Sequence, residues 1–212
     1  VWTWGYNTYG QLGNGTNIYS TTPVKVSELT DVEEVAAGYL HSIALKTDGT
    51  VWAWGNNGAG QLGDGSTTTN STVPIQVSSL TDIDNIAAGN SHSMVVKDDG
   101  TVWAWGGNSY GQLGNSTTIN SRIPVQVSGL TDVIRIVIGW YHNLATRSDG
   151  SVWSWGRNTY GQVGDGTINT RTEPVQVTEL TNISIIAGGF EHSIAVDTAG
   201  SVYAWGNDTY GQ

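Results

Sequence analysis

The sequence predicts an all-β protein, a β-propeller built from four-stranded antiparallel blades, on three observations. First, the pair Trp-Gly recurs at Trp4-Gly5, Trp54-Gly55, Trp105-Gly106, Trp155-Gly156 and Trp205-Gly206, a period of about 50 residues. Second, all four prolines (Pro23, Pro74, Pro124, Pro174) and all four histidines (His41, His92, His142, His192) keep the same register. Third, each period holds four short β-prone runs separated by turn chemistry and no sustained 3.6-residue apolar stripe. Four-stranded units at this period are the mark of propeller blades.

In the first unit the runs are Pro23 to Val26, Val32 to Ala37, His41 to Lys46 and Val51 to Trp54. Proline at the head of the first run costs no ladder hydrogen bond. The second and third runs meet at Ala37-Gly38 and a variable pair. The third and fourth meet at Thr47-Asp48-Gly49-Thr50, an Asp-Gly hairpin turn echoed at Asp99-Gly100 and Asp149-Gly150 and reduced to Ala199-Gly200 in the last copy. In the fourth run, Val51-Trp52-Ala53-Trp54-Gly55, alternation puts both indoles on one face and the small residues on the other. A propeller stacks the bulky face of one blade on the flat face of its neighbour, so these indoles are expected to cement blade to blade. One domain spans 1–212, with units at approximately 5–55, 56–106, 107–156 and 157–206 and a partial fifth at 207–212. The Trp-bearing strand occurs five times and each of the others four times, so one strand is extra.

Composition narrows the function. Of 212 residues 29 are Gly and 10 are Trp, and the formal net charge is −10. Phosphate-tracking surfaces need clustered Lys and Arg, so nucleic acid is not an expected partner. No apolar run approaches the roughly 20 residues of a membrane-spanning helix. With no Cys there is no disulfide, thiol nucleophile or cysteine metal ligand. The four histidines start equivalent strands in separate blades, so they circle the axis rather than converge on one ion, and they are expected to bond neighbouring backbone instead. Asp64-Gly65 and Asp165-Gly166 look like pieces of calcium loops, but Asn14 and Asn115 fill the same slot, and Asx turns account for all four. No residue is assigned a catalytic role, and no cofactor is expected.

A longer motif follows each Trp-Gly. It reads Asn7-Thr8-Tyr9-Gly10-Gln11-Leu12-Gly13-Asn14-Gly15-Thr16, returns from Asn57 to Ser66, and recurs over 108–117 and 158–167. With Val35-Ala36-Ala37-Gly38 and His41-Ser42, it resembles the regulator of chromosome condensation repeat over the whole chain. The resemblance implies a seven-bladed ring, of which these units are expected to form part, since seven of them need about 350 residues. It also implies an interaction platform with its partner held by loops on one face. One departure is Ser116, where other copies have Gly15, Gly65 and Gly166; either that site does not need a positive φ or the third turn is strained.

Positions that vary against a constant frame are free of structural duty. The pairs before each histidine are Tyr39-Leu40, Asn90-Ser91, Trp140-Tyr141 and Phe190-Glu191, all in the connection between second and third strands. The single Phe and the one Trp outside the Trp-bearing strand both fall there. Tyr39, Leu40, Trp140, Tyr141, Phe190 and Glu191 are therefore the candidate partner-binding residues, packing between blades being the competing use. The predicted function is a non-catalytic protein-interaction scaffold with a protein partner, a ring being completed by self-association or by further repeats of the same chain. The alternatives are regulation of an enzyme, by nucleotide exchange on a small GTPase or inhibition of a bacterial hydrolase, and a structural extracellular or filament-forming protein. Nearly uniform loop lengths provide no inserted wedge for nucleotide exchange. The Thr/Asn/Gly-rich, Lys-poor composition fits an extracellular or cell-surface prokaryotic protein.

Overall fold

A computed structural model describes the whole chain, Val1–Gln212. Seventeen strands form five antiparallel sheets. A two-stranded sheet pairs β1 (Trp2–Gly5) with β2 (Ser20–Lys25). Three complete blades follow in simple meander order. They are β3 (Val32–Ala37), β4 (His41–Lys46), β5 (Val51–Asn56) and β6 (Asn70–Gln76); then β7 (Ile83–Ala88), β8 (His92–Lys97), β9 (Val102–Gly106) and β10 (Ser121–Gln126); then β11 (Val133–Ile138), β12 (His142–Arg147), β13 (Val152–Gly156) and β14 (Arg171–Gln176). The last sheet holds β15 (Ile183–Gly188), β16 (His192–Asp197) and β17 (Val202–Gly206).

The blades are cut differently from the sequence units. The proline strand, placed at the head of a unit by sequence, pairs with the Trp strand before it and forms the outer edge of the preceding blade. The proline also lies inside that strand rather than at its start. Pairing skips from Ser71 to Ile75 across Pro74, a bulge on an edge strand where a missing N–H leaves no ladder bond broken.

The core sits between sheets rather than within them. Ile43, Leu45 and Val51 of one blade share a buried cluster with Ile83, Val95 and Trp105 of the next. Met94, Val102 and Leu113 do the same with Ile136, Ala145 and Trp155. Each seam is also bonded. The Nε1–H of Trp54, Trp105, Trp155 and Trp205 donates to the backbone carbonyl of Gln11, Gln61, Gln112 and Gln162 on the preceding unit, 2.9 Å each time. The same carbonyl accepts a second bond from Ser42, Ser93, Asn143 or Ser193. The first residue of the long motif holds the acceptor in place: the buried Asn57 takes the Leu62 N–H on Oδ1, as Asn7, Asn108 and Asn158 do in their copies.

Where the indole meets the loop, only glycine fits. At Gly63 (φ +68°) a Cβ would lie 2.7 Å from Nε1 of Trp105. The neighbouring turn shows a different constraint. Gly15, Gly65 and Gly166 have positive φ, and Ser116 adopts φ 64° in the same place, so the left-handed conformation is required and the third turn carries the strain. From that position Ser116 donates a hydrogen bond to Glu173 of β14, the outer edge strand of the following blade.

The histidines correct the sequence expectation. Their rings do not cap nearby backbone; they cross the seam. His41, His92 and His142 are buried, and Nε2 of each bonds Ser93, Asn143 or Ser193 of the next blade at 2.7–2.9 Å. Because Ser93 and Ser193 already donate to glutamine carbonyls, and Asn143 offers Oδ1, the imidazoles act as Nε2–H donors. Burial holds them neutral, pushing His41 to about 3 and His92 and His142 to about 4 from the usual 6.5.

Two outcomes follow from these seams. Gly63→Ala should cost roughly 3 kcal/mol in urea unfolding through overpacking plus left-handed strain, whereas Gly15→Ala, with open space around its Cβ position, should cost about 1. Between pH 6.5 and about 4 the unfolded chain binds protons that the folded histidines refuse, so stability is complete above pH 6.5 and falls as pH drops. At pH 5 each buried histidine should remove about 2 kcal/mol, seen as a urea midpoint well below that at pH 7.5.

Candidate functional site

Meander topology sends alternate connections to opposite faces. The β3–β4 and β5–β6 connections, and their equivalents in later blades, emerge on one face; the Asp-Gly turns emerge on the other. The far face is acidic at its turns. Asp48, Asp99 and Asp149 each accept a side-chain and a backbone hydrogen bond from Thr50, Thr101 and Ser151, and these bonds hold their carboxyls below the usual range. In the copy that lacks this aspartate, Asp197 takes over by accepting from Ala199 and Ser201.

On the first face, the short β3–β4-type loops ring the axis. Tyr39 N–H donates to Gly89 C=O and Trp140 N–H to Gly189 C=O, tying loop to loop across the seams. Tyr39, Asn90, Trp140 and Phe190, the first members of the variable pairs, line one open cavity of about 450 Å³. Its walls are otherwise Ile138, two alanines (Ala37, Ala88) and five glycines. Trp140 lies between Tyr39 (centroids 4.7 Å, 57°) and Phe190 (4.4 Å, 36°), so the three rings form one continuous ridge. Tyr39 and Phe190 remain 59% and 54% exposed, whereas the seam indoles of Trp54, Trp105 and Trp155 are buried.

The second members diverge. Leu40 is half-buried and its carbonyl accepts the Asn56 N–H. Tyr141 stands edge-on to Trp140 (6.2 Å, 88°) and against Tyr110 (5.1 Å). Glu191 turns to Arg157 of the neighbouring blade (2.9 Å) and also accepts from Asn207. The Arg157 guanidinium lies 5.4 Å from the Tyr110 ring centroid and 6.0 Å from those of Tyr141 and Tyr160. The sequence reading missed Arg157, Tyr110 and Tyr160. A signal existed for one of them: at the position after Trp-Gly the chain has Tyr6, Asn56, Gly107, Arg157 and Asn207, and a single charge stands out.

The Asn14, Asp64, Asn115 and Asp165 slot forms Asx turns: each Oδ1 accepts the N–H two residues on. The outer loops beyond it carry exposed isoleucines, Ile18, Ile119 and Ile168. No helix of the chain is long and apolar enough to cross a membrane.

The sequence profile of the RCC1-like domain matches residues 1–212. The chain belongs to the RCC1-like domain family. Among curated relatives it is 33% identical over 118 residues to RUG3, a mitochondrial RCC1 domain-containing protein of Arabidopsis thaliana, a match covering 54% of this chain and 26% of RUG3. Among solved structures, human WBSCR16 superposes with a TM-score of 0.82 at 24% identity, covering 95% of this RCC1-like chain and 55% of WBSCR16. Prp20p of Saccharomyces cerevisiae superposes with a TM-score of 0.60 at 23% identity, covering 97% of this chain and 65% of Prp20p. The chain thus spans about a quarter of RUG3 and just over half of WBSCR16. These likenesses carry the propeller fold of the RCC1-like family onto the five sheets described above.

The two kinds of tryptophan should separate in stability measurements. Trp105→Ala, at a bonded seam, should cost 3–5 kcal/mol, on the order of other large aromatic deletions. Trp140→Ala, on the ridge, should cost only about 1–2; equal losses would make Trp140 a packing residue.

Proposed function

We propose that this RCC1-like chain is a non-catalytic protein-interaction scaffold whose contact surface is the axial aromatic face: Tyr39, Leu40, Trp140, Tyr141, Phe190 and Glu191, joined by Tyr110 and Arg157. The observation that carries the reading is the ridge itself. Three aromatic rings in mutual contact, the outer two exposed and the central Trp140 half-buried, stand on loops whose backbone is locked by bonds from blade to blade. Rigid aromatic area loses little entropy on binding, and Trp, Tyr and Arg are the residues that dominate interface energetics. The titratable groups give complementary support. The buried histidines are neutral seam donors, and the turn aspartates are occupied by Asx bonds. Among structural relatives, Prp20p has binding properties toward Gsp1p and histones, so this fold elsewhere serves protein partners.

The test is a cross-linking pull-down with tagged wild type and the Trp140→Ala/Phe190→Ala double variant, both checked for cooperative melting. Partner recovery is expected to fall at least about tenfold in the variant, as for loss of a hot-spot pair. Unchanged recovery would reject this face, and with it the scaffold reading as placed here.

A further inference from the structure

The molecule already contains one example of what its aromatic loops hold. Arg157 lies among Tyr110, Tyr141 and Tyr160, with its guanidinium 5.4–6.0 Å from three ring centroids and Glu191 at 2.9 Å. Next to this box, and joined to it through the Trp140–Tyr141 contact, the ridge of Tyr39, Trp140 and Phe190 offers more ring surface of the same kind. The cation–π contacts of the chain fall on Trp52, Trp153 and the three tyrosines of the box, not on the ridge. We propose that the ridge docks an arginine-bearing segment of a protein partner, a deepening that rests on the reading of this face as the contact surface.

Three observations select that chemistry. The chain carries a net charge of −10, so its long-range field gathers cationic partners and repels phosphate-bearing ones. The one cation close to the ridge, Arg157, is already neutralised by Glu191 and does not oppose an incoming charge. The ridge rings also touch one another, at 4.4 and 4.7 Å, and leave no gap between them for a compact ammonium to be caged. A planar guanidinium, weakly hydrated, stacks flat on such a surface, whereas a lysine ammonium holds its water. Asn90 lines the same cavity, and a side-chain amide there can accept a guanidinium N–H.

Charge alone does not place the segment here, because the acidic turns of the opposite face attract any cation. The two sites differ in what they discriminate. Coulombic attraction treats arginine and lysine nearly alike; ring stacking does not.

The experiment is fluorescence anisotropy with short fluorescein-labelled peptides of alternating arginine and glycine, lysine and glycine, or glutamate and glycine, titrated with the full chain. The arginine peptide should bind about tenfold tighter than the lysine peptide, and the glutamate peptide should not bind. Trp140→Ala/Phe190→Ala should weaken the arginine peptide at least about fivefold and bring it level with the lysine peptide. Trp140→Phe, which keeps a ring, should retain most of the preference and guards against a folding defect. Asp98→Asn/Asp99→Asn on the far face should leave the arginine-to-lysine ratio unchanged. Equal affinity for the two cationic peptides, no binding of either, or loss confined to the aspartate variant would overturn the proposal. If the pull-down still depends on Trp140 and Phe190 while the arginine peptide fails, the contact face stands and the arginine assignment alone falls.

Discussion

One bond repeated at every seam organises this protein: an indole N–H donated to the backbone carbonyl of a glutamine on the preceding unit. A tryptophan buried without a partner for its N–H costs free energy, and so does a buried carbonyl. The seam solves both at once, and the constraints radiate from it. The carbonyl reaches the indole only if the loop turns sharply, so glycine must flank it. The loop keeps that shape because a buried asparagine holds it from inside. The serine or asparagine that shares the carbonyl is oriented in turn by the histidine of the blade before. The contrast between Trp54 and Trp4 shows what the seam contributes: with its N–H on the Gln11 carbonyl Trp54 is 1% exposed, while Trp4, without such a bond, is 63% exposed.

This explains why the fold was legible in sequence. A bond that needs Trp, Gly, Gln and Asn at fixed distances writes those residues at a fixed period, and proline and histidine follow the same rhythm. What the rhythm cannot show is phase. A repeat reads the same wherever it is cut, so the pairing of the proline strand with the Trp strand before it depended on geometry that no local pattern carries. The histidine partners were hidden for a related reason. Ser93, Asn143 and Ser193 lie about fifty residues from the rings they bond, and serine in a strand carries no sign of a partner one blade away. The variable pairs were found because they break the rhythm. Tyr110 and Tyr160 escaped because they obey it, their tyrosine being standard at that point of the motif.

The separation of constant and variable residues also divides labour across the two faces. On the far face, hairpin turns are stabilised by aspartates whose oxygens serve neighbouring N–H and O–H groups, so most of the negative charge there has a local structural origin. On the near face, the loops are anchored by main-chain bonds between blades, which leaves their side chains unconstrained by the fold. Such loops can change residue without loss of the frame, and that is where a family of common architecture can acquire different partners.

The asymmetry of the near face is its most informative property. A surface serving only the ring's own packing would repeat with the blades, as the seams do. Here the four equivalent loop positions are Tyr39, Asn90, Trp140 and Phe190, and the Arg157–Glu191 pair occurs at one seam alone. The aromatic side chains reach past the intervening blade, since Tyr39 and Trp140 belong to first and third blades yet their rings touch. Mutual stacking removes part of each ring from water and so lowers the cost of displaying them. It also fixes the rings before any partner arrives, which lowers the entropy lost on binding. A repeated frame thus carries a single, oriented patch, and on the proposed reading its polarity around the axis would hold a partner in one register rather than in several equivalent ones.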